Sequence, residues 1–153
     1  MSDPFNRPPQ LPEDAIKNES NEKLSGKMLI VDDEPSIVEG LSLLADMDGY
    51  EVITTSTPQE VTRILSKESN FRVMILDNDL TKAGNEGIAI LEKLTTDPKF
   101  QKTVFVLETG KYTPELEARV NATRQGVYFM KPVEWEAIVE AIRLKKLELE
   151  QGS

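Results

Sequence analysis

From Lys27 onward, short apolar runs alternate with stretches of helical periodicity, and the alternation repeats five times. The runs "MLIV" (28–31), "YEVITT" (50–55), "RVMIL" (72–76), "VFVL" (104–107) and "VYFM" (127–130) each read as a strand. The segments after them carry apolar helix faces: Ile37, Val38, Leu41, Leu44 and Ala45; then Val61, Ile64 and Leu65; then Ile88, Leu91 and Leu94; then Leu116 and Val120; and last Trp135, Ile138, Val139 and Ile142. Pro35, Thr57-Pro58 and Thr113-Pro114 supply helix starts. Five alternations at this spacing predict an α/β domain, a doubly wound parallel sheet with helices on both faces. In such sheets functional groups gather beyond the carboxyl ends of the strands, where the strand order reverses.

What remains outside this pattern is short. Residues 1–26 open with Pro4, Pro8, Pro9 and Pro12 and continue in polar residues, too little apolar surface to offset the entropy of ordering. They read as an N-terminal tail with room for a short helix over 12–24, ahead of a domain spanning 27–148. Residues 149–153 read as a C-terminal end or the start of a linker to an effector.

Composition removes several function classes. A formal net charge of -9 argues against direct nucleic-acid binding by this segment. With no cysteine there are neither disulfides nor thiolate metal sites. With no histidine there is no Ser-His-Asp catalysis, no His-ligated zinc and no phosphohistidine carrier. No run of roughly 18 apolar residues could span a bilayer, and the N-terminus lacks the basic start and apolar core of a signal peptide. The expectation is a cytoplasmic protein without membrane contact.

The residues that follow the strands carry the chemistry. Asp32-Asp33 follow the first strand and Asp77 the third, in "VMILDNDL". Glu108 and Thr109 follow the fourth, in "VFVLETG", and Lys131-Pro132 the fifth, in "YFMKP". Taken singly, Asp32-Asp33 would suit a helix N-terminus, Asp77 and Asp79 a solvated turn, and Lys131 a surface. Converging on one sheet edge, the carboxylates offer oxygen ligands to a hard cation such as Mg²⁺. An Asp carboxylate there can attack phosphorus while a Lys neutralises charge on the transferring group.

This ordered set, with the five βα alternations, resembles the receiver domain of two-component response regulators. The resemblance covers about residues 27 to 148 and implies a flavodoxin-like sheet of strand order 2-1-3-4-5. It implies that Asp77 accepts a phosphoryl group from a histidine kinase, a phosphotransfer protein or a small acyl phosphate. Asp33 and Asp77 would bind Mg²⁺ with the backbone carbonyl of Asp79, and Asp32 would act through water and by positioning. Lys131, ahead of a cis peptide at Pro132, would pair with the phosphoryl group. Thr109 would swing towards it and Tyr128 would report that movement on the face of the fourth helix, fifth strand and fifth helix. The implied partners include a downstream effector protein or domain and a phosphorylation-linked homodimer. The protein would be a switch and not an enzyme, catalysing only its own phosphorylation and dephosphorylation.

The chain departs from the family's usual pattern at Leu80-Thr81, where Met-Pro is common, and in a loop, "NDLTKAGNEG", about two residues longer if Gly87 is the match. Two registers compete at the fourth strand. Aligning "VFVL" places Glu108 at the hydroxyl position, and counting back from Lys131 places Thr109 there. A carboxylate beside an aspartyl phosphate would repel it, so Thr109 is expected to face the phosphate and Glu108 to lie at the rim. Two other readings stand beside the receiver. "MILDNDLT" also resembles the DxDxT opening of haloacid-dehalogenase-type phosphatases, with Asp77 and Asp79 in the reacting positions; that family needs an acidic metal pair after its Lys, where only Glu134 and Glu136 are near. A pseudo-receiver, folded alike but used only for binding, is the third.

Overall fold

The computed structural model describes residues 25–151. Five strands alternate with five helices: β1 (Gly26–Val31), α1 (Pro35–Met47), β2 (Tyr50–Thr55), α2 (Pro58–Lys67), β3 (Phe71–Asp77), α3 (Glu86–Thr95), β4 (Val104–Thr109), α4 (Pro114–Ala122), β5 (Gly126–Met130) and α5 (Trp135–Gln151). A 3₁₀ turn at Pro98–Phe100 leads from α3 towards β4. All neighbouring strands are parallel, in the order β2-β1-β3-β4-β5, as the doubly wound reading requires. The order reverses between β1 and β3, so the chain emerging from each borders one crevice.

Local sequence sets the helix starts. Thr57 and Thr113 are extended residues whose hydroxyls accept from the N–H groups of Glu60 (3.2 Å) and Leu116 (3.1 Å), and in each case Pro follows at the first helical position. Such caps satisfy donors the helix cannot, and each contributes about 1 kcal/mol. α1 ends at Met47 with Asp48 as its C-cap, and Gly49 then takes the left-handed φ of 93° that lets the chain reverse into β2.

The period-2 alternation of the strands divides the core. Leu29, Val31, Met74, Leu76, Phe105 and Leu107 pack beneath α2, α3 and α4, with Val61, Ile88, Leu91 and Leu116. Met28, Ile30, Val73, Ile75, Val104 and Val106 pack beneath α1 and α5, with Leu41, Ala45, Ile138 and Ile142. Full burial of such side chains stabilises the fold by about 1.5–3 kcal/mol each. Two residues expected on apolar helix faces, Leu44 and Val139, are 38% and 37% exposed, at the edges of those stripes. Trp135 is buried at the start of α5 and donates its indole N–H to Asp48 Oδ2 at 2.7 Å.

The structure moves the expected boundaries slightly. The tail over 1–26 and the short helix over 12–24 lie outside the described residues, apart from Ser25 and Gly26. Those two belong to the fold: Ser25 donates its N–H to the Gly49 carbonyl at 3.1 Å, and Gly26 begins β1. At the other end α5 continues to Gln151, with Leu149 still buried, beyond the expected limit at 148. No described helix is long and apolar enough to cross a membrane.

Candidate phosphoacceptor site

β1 and β3 deliver three acids to the switch point. Asp32 follows β1 and is 4% exposed, Asp77 ends β3 and is 3% exposed, and Asp33 is open to solvent. One carboxylate oxygen from each lies within 4.8 Å of the other two. Lys131, carried past the end of β5, answers two of them: its Nζ is 3.2 Å from Asp32 Oδ2 and 3.2 Å from Asp77 Oδ1. The Lys131-Pro132 peptide is cis. One ammonium against three carboxylates leaves excess negative charge. All the donors are oxygens, which fits a hard divalent cation and not a thiolate- or imidazole-loving metal.

Backbone hydrogen bonds fix the acids. Asp32 Oδ1 accepts from the N–H of Glu34 at 2.9 Å, so Asp32 also shapes the entry to α1, part of what its place before a helix suggests. Asp77 Oδ1 accepts from the N–H of Asp79 at 3.0 Å. Burial pushes the Asp77 carboxyl up. The Asp79 N–H and Lys131 oppose that shift and Asp32 adds to it. Burial opposes the charge of Lys131, but Asp32 and Asp77 together outweigh it and raise its pKa.

The loop after Asp77 is braced at several points. Buried Asn78 donates its backbone N–H to the Glu108 carbonyl (2.8 Å), and its Oδ1 accepts from the N–H of Ile88 (2.8 Å) at the start of α3. Glu86 accepts from the backbone N–H groups of Leu80 (3.1 Å) and Thr81 (3.3 Å), and from the Thr81 hydroxyl. Gly87 sits where a Cβ would meet the Asp77 carbonyl oxygen at 2.7 Å and Leu107 Cδ1 at 2.8 Å. Only glycine lets α3 approach the end of β3 this closely, and Gly87 is the residue on which the longer loop closes. The spacing within "NDLTKAGNEG" pointed to Gly87. Nothing in the sequence singled out Asn78 or Glu86.

The expected residues do not all meet. Asp32, Asp33, Asp77 and Lys131 form one cluster. The Asp79 carboxylate turns away from it: its Oδ2 accepts from Thr109 Oγ1 at 3.0 Å and from the Gly110 N–H at 3.3 Å. The metal role expected of Asp79 involved its carbonyl alone, and the side chain instead ties the β3–α3 loop to the end of β4. Thr109 is buried and its backbone carbonyl accepts from the Lys131 N–H at 2.8 Å, tying the Lys131 segment to β4. Tyr128 is half-buried, with its ring edge-on to Tyr112 at a centroid distance of 6.0 Å. Its hydroxyl is enclosed and has no hydrogen-bond partner among the described residues.

Glu108 corrects the sequence reading. It is not at the rim. β4 runs two residues beyond "VFVL", and Glu108 pairs in register with Asp77, 4% exposed on the sheet face that α1 and α5 cover. Thr109 occupies the opposite face. Glu108 is packed beneath the site and not at its solvent edge. Burial pushes its carboxyl up to about 7; Lys131 opposes the shift, and Asp32 and Asp77 reinforce it.

A family model of the response regulator receiver domain matches residues 28–143. The chain belongs to the response-regulator receiver family. It is a receiver domain of two-component signalling, and the acidic cluster lies where its βα loops meet. Over 117 residues it is 27% identical to the transcriptional regulatory protein GlrR of Escherichia coli K12, a match covering 75% of this chain and 25% of that protein. The same figures hold for QseF of Escherichia coli O157:H7, so the chain spans about a quarter of the length of the curated relatives it matches. Among solved structures, a CheY-like receiver protein from Methanospirillum hungatei JF-1 superposes with a TM-score of 0.69 at 28% identity, covering 84% of this chain and 98% of that one. The chemotaxis protein CheY4 of Vibrio cholerae shares the fold, with a TM-score of 0.67 at 24% identity over 78% of this chain and 97% of that one. The phosphatase reading falls with this assignment. Glu134 and Glu136, the acids it needed after Lys131, are exposed and outside the cluster of Asp32, Asp33 and Asp77.

Proposed function

We propose that this receiver accepts a phosphoryl group on Asp77 from a phosphohistidine of a kinase or phosphotransfer protein, and that phosphorylation of this one carboxylate changes its partner-binding face. The observation that carries the reading is the position of Lys131 Nζ, 3.2 Å from both Asp32 and Asp77 at the edge of a three-carboxylate cluster. Asp77 Oδ1 is engaged by Lys131 and the Asp79 N–H, which leaves Oδ2 to attack. A P–O bond forms to that oxygen as the donor's P–N bond breaks, and the departing imidazole keeps the electron pair.

Asp33 and Asp77, with Asp32 behind them, would hold Mg²⁺, which when bound supplies charge neutralisation for the transferring group. Lys131 exchanges its contact with the Asp77 carboxylate for one with the phosphoryl oxygens. The Thr109 hydroxyl, now donated to Asp79, turns to the phosphoryl group, and the space it leaves admits the Tyr128 ring. That movement alters the α4–β5–α5 face, the surface suited to an effector or to a second copy of the domain. The complete Asp/Asp/Asp/Thr/Lys set favours this over a binding-only pseudo-receiver.

The test uses a small acyl phosphate and Mg²⁺ with intact-mass detection. The parent should gain one phosphate that hydroxylamine removes, and Asp77→Asn should gain none. Equal labelling of the variant would reject Asp77 as acceptor.

A further inference from the structure

A cavity of about 490 Å³ opens between α1 and the β5–α5 connection, on the face of the sheet away from Thr109. Its walls are mostly apolar, with Ile37, Leu41, Val133 and Trp135 among them. Glu108 also lines it, and Glu108 Oε2 is fully enclosed with no hydrogen-bond partner among the described residues. Lys131 is the cation beside this carboxyl, but its Nζ is committed to Asp32 and Asp77. A buried carboxyl oxygen without a donor is costly, and most such groups in folded proteins are satisfied. Exposed Glu34 lines the same cavity and adds negative charge.

Gly40 is the second observation. It sits within α1, where glycine costs about 1 kcal/mol relative to alanine. Packing does not require it, because a Cβ at Gly40 would meet nothing within 4 Å. Gly40 lines the cavity, and its missing side chain keeps the space open.

We propose that this cavity is a binding site for a small organic cation, a primary ammonium or guanidinium on a short apolar body, whose N–H groups donate to Glu108. The volume falls within the range of small-molecule sites, which are mostly apolar with a few placed polar groups. The apolar walls take the hydrocarbon part, Trp135 supplies an aromatic surface suited to a cation, and the carboxyl fixes the charged end. The site makes no use of the Asp77 chemistry and stands whether or not Asp77 is the phosphoacceptor.

Trp135 is the single tryptophan of the chain, so its emission reports on the cavity directly. The full chain would be titrated with n-butylammonium and n-butylguanidinium, with 1-pentanol as the neutral counterpart. The cations should give a saturable change with Kd of about millimolar order, as expected for ligands of so few atoms. The alcohol should bind about tenfold more weakly, the worth of one hydrogen bond to a charged group. Glu108→Gln should weaken the cations by a similar factor and leave the alcohol unchanged. Gly40→Leu, which touches neither Glu108 nor Lys131, should block all three. Equal binding of alcohol and cation, undiminished cation binding in Glu108→Gln, or no saturable response up to roughly 100 mM would each overturn the proposal.

Discussion

Replacing Glu108 by Gln should stabilise the protein, by an amount that depends on pH. The ordinary glutamate pKa of 4.5 is raised to about 7 here, chiefly by burial. A folded state that holds its proton more tightly than the unfolded chain loses stability as pH rises between those two values, and the loss is complete above the higher one. At 1.36 kcal/mol per unit the ionised side chain costs roughly 3 kcal/mol at pH 8 and little at pH 4. Gln keeps the shape and cannot ionise. In metal-free buffer, thermal unfolding of the parent and Glu108→Gln should nearly coincide near pH 4, and the variant should melt roughly 10 °C higher near pH 8. The difference should develop between about pH 4.5 and 7. A difference independent of pH, or a variant no more stable than the parent at pH 8, would refute the reasoning that Glu108 is a desolvated acid.

Other expectations follow from the same geometry. Adding Mg²⁺ should raise the melting temperature by relieving repulsion among Asp32, Asp33 and Asp77, and Asp33→Ala should diminish that rise more than Asp32→Ala, since Asp32 is already held by Lys131 and the Glu34 N–H; calorimetry with and without Mg²⁺ checks this. Gly87→Ala forces a Cβ to within 2.7 Å of the Asp77 carbonyl and should destabilise by about 1–3 kcal/mol in denaturant unfolding while slowing phosphorylation of Asp77. Thr109→Ala removes the donor to Asp79 and should leave phosphorylation possible while reducing the change at Tyr128 seen by NMR with a phosphate mimic. The raised pKa of Asp77 implies that, without Mg²⁺, its carboxyl takes up a proton on acidification at a higher pH than an ordinary aspartate, which the NMR shift of its carboxyl carbon would reveal.

Much of the fold was legible because burial on both faces turns strands into unbroken apolar runs, and "MLIV" and "RVMIL" could be little else. Thr57-Pro58 and Thr113-Pro114 marked helix starts because a hydroxyl cap and a fixed φ act within a few residues. Asp32, Asp33, Asp77 and Lys131 were legible as a set because a parallel sheet brings strand ends to one edge whatever the loops contain. Reading failed where a polar residue stays inside the sheet. Glu108 looked like loop because an acid after an apolar run normally meets water, and only the pairing of β4 with β3 places it opposite Asp77. Asn78 was opaque for a related reason. Its value lies in bracing Ile88, ten residues on, and no local pattern encodes that contact. Leu44 and Val139 had the right helical phase, but how far cover extends around a stripe depends on neighbouring elements.

The central claim is that Asp77 is the residue to which phosphorus becomes bonded, and locating the modified side chain tests it most directly. After treatment with the acyl phosphate and Mg²⁺, borohydride reduction converts an aspartyl phosphate to homoserine, and peptide sequencing by mass spectrometry locates that residue. The account predicts homoserine at position 77 alone. Homoserine at position 32, 33 or 79, or none anywhere in a protein that has gained phosphate, would contradict it.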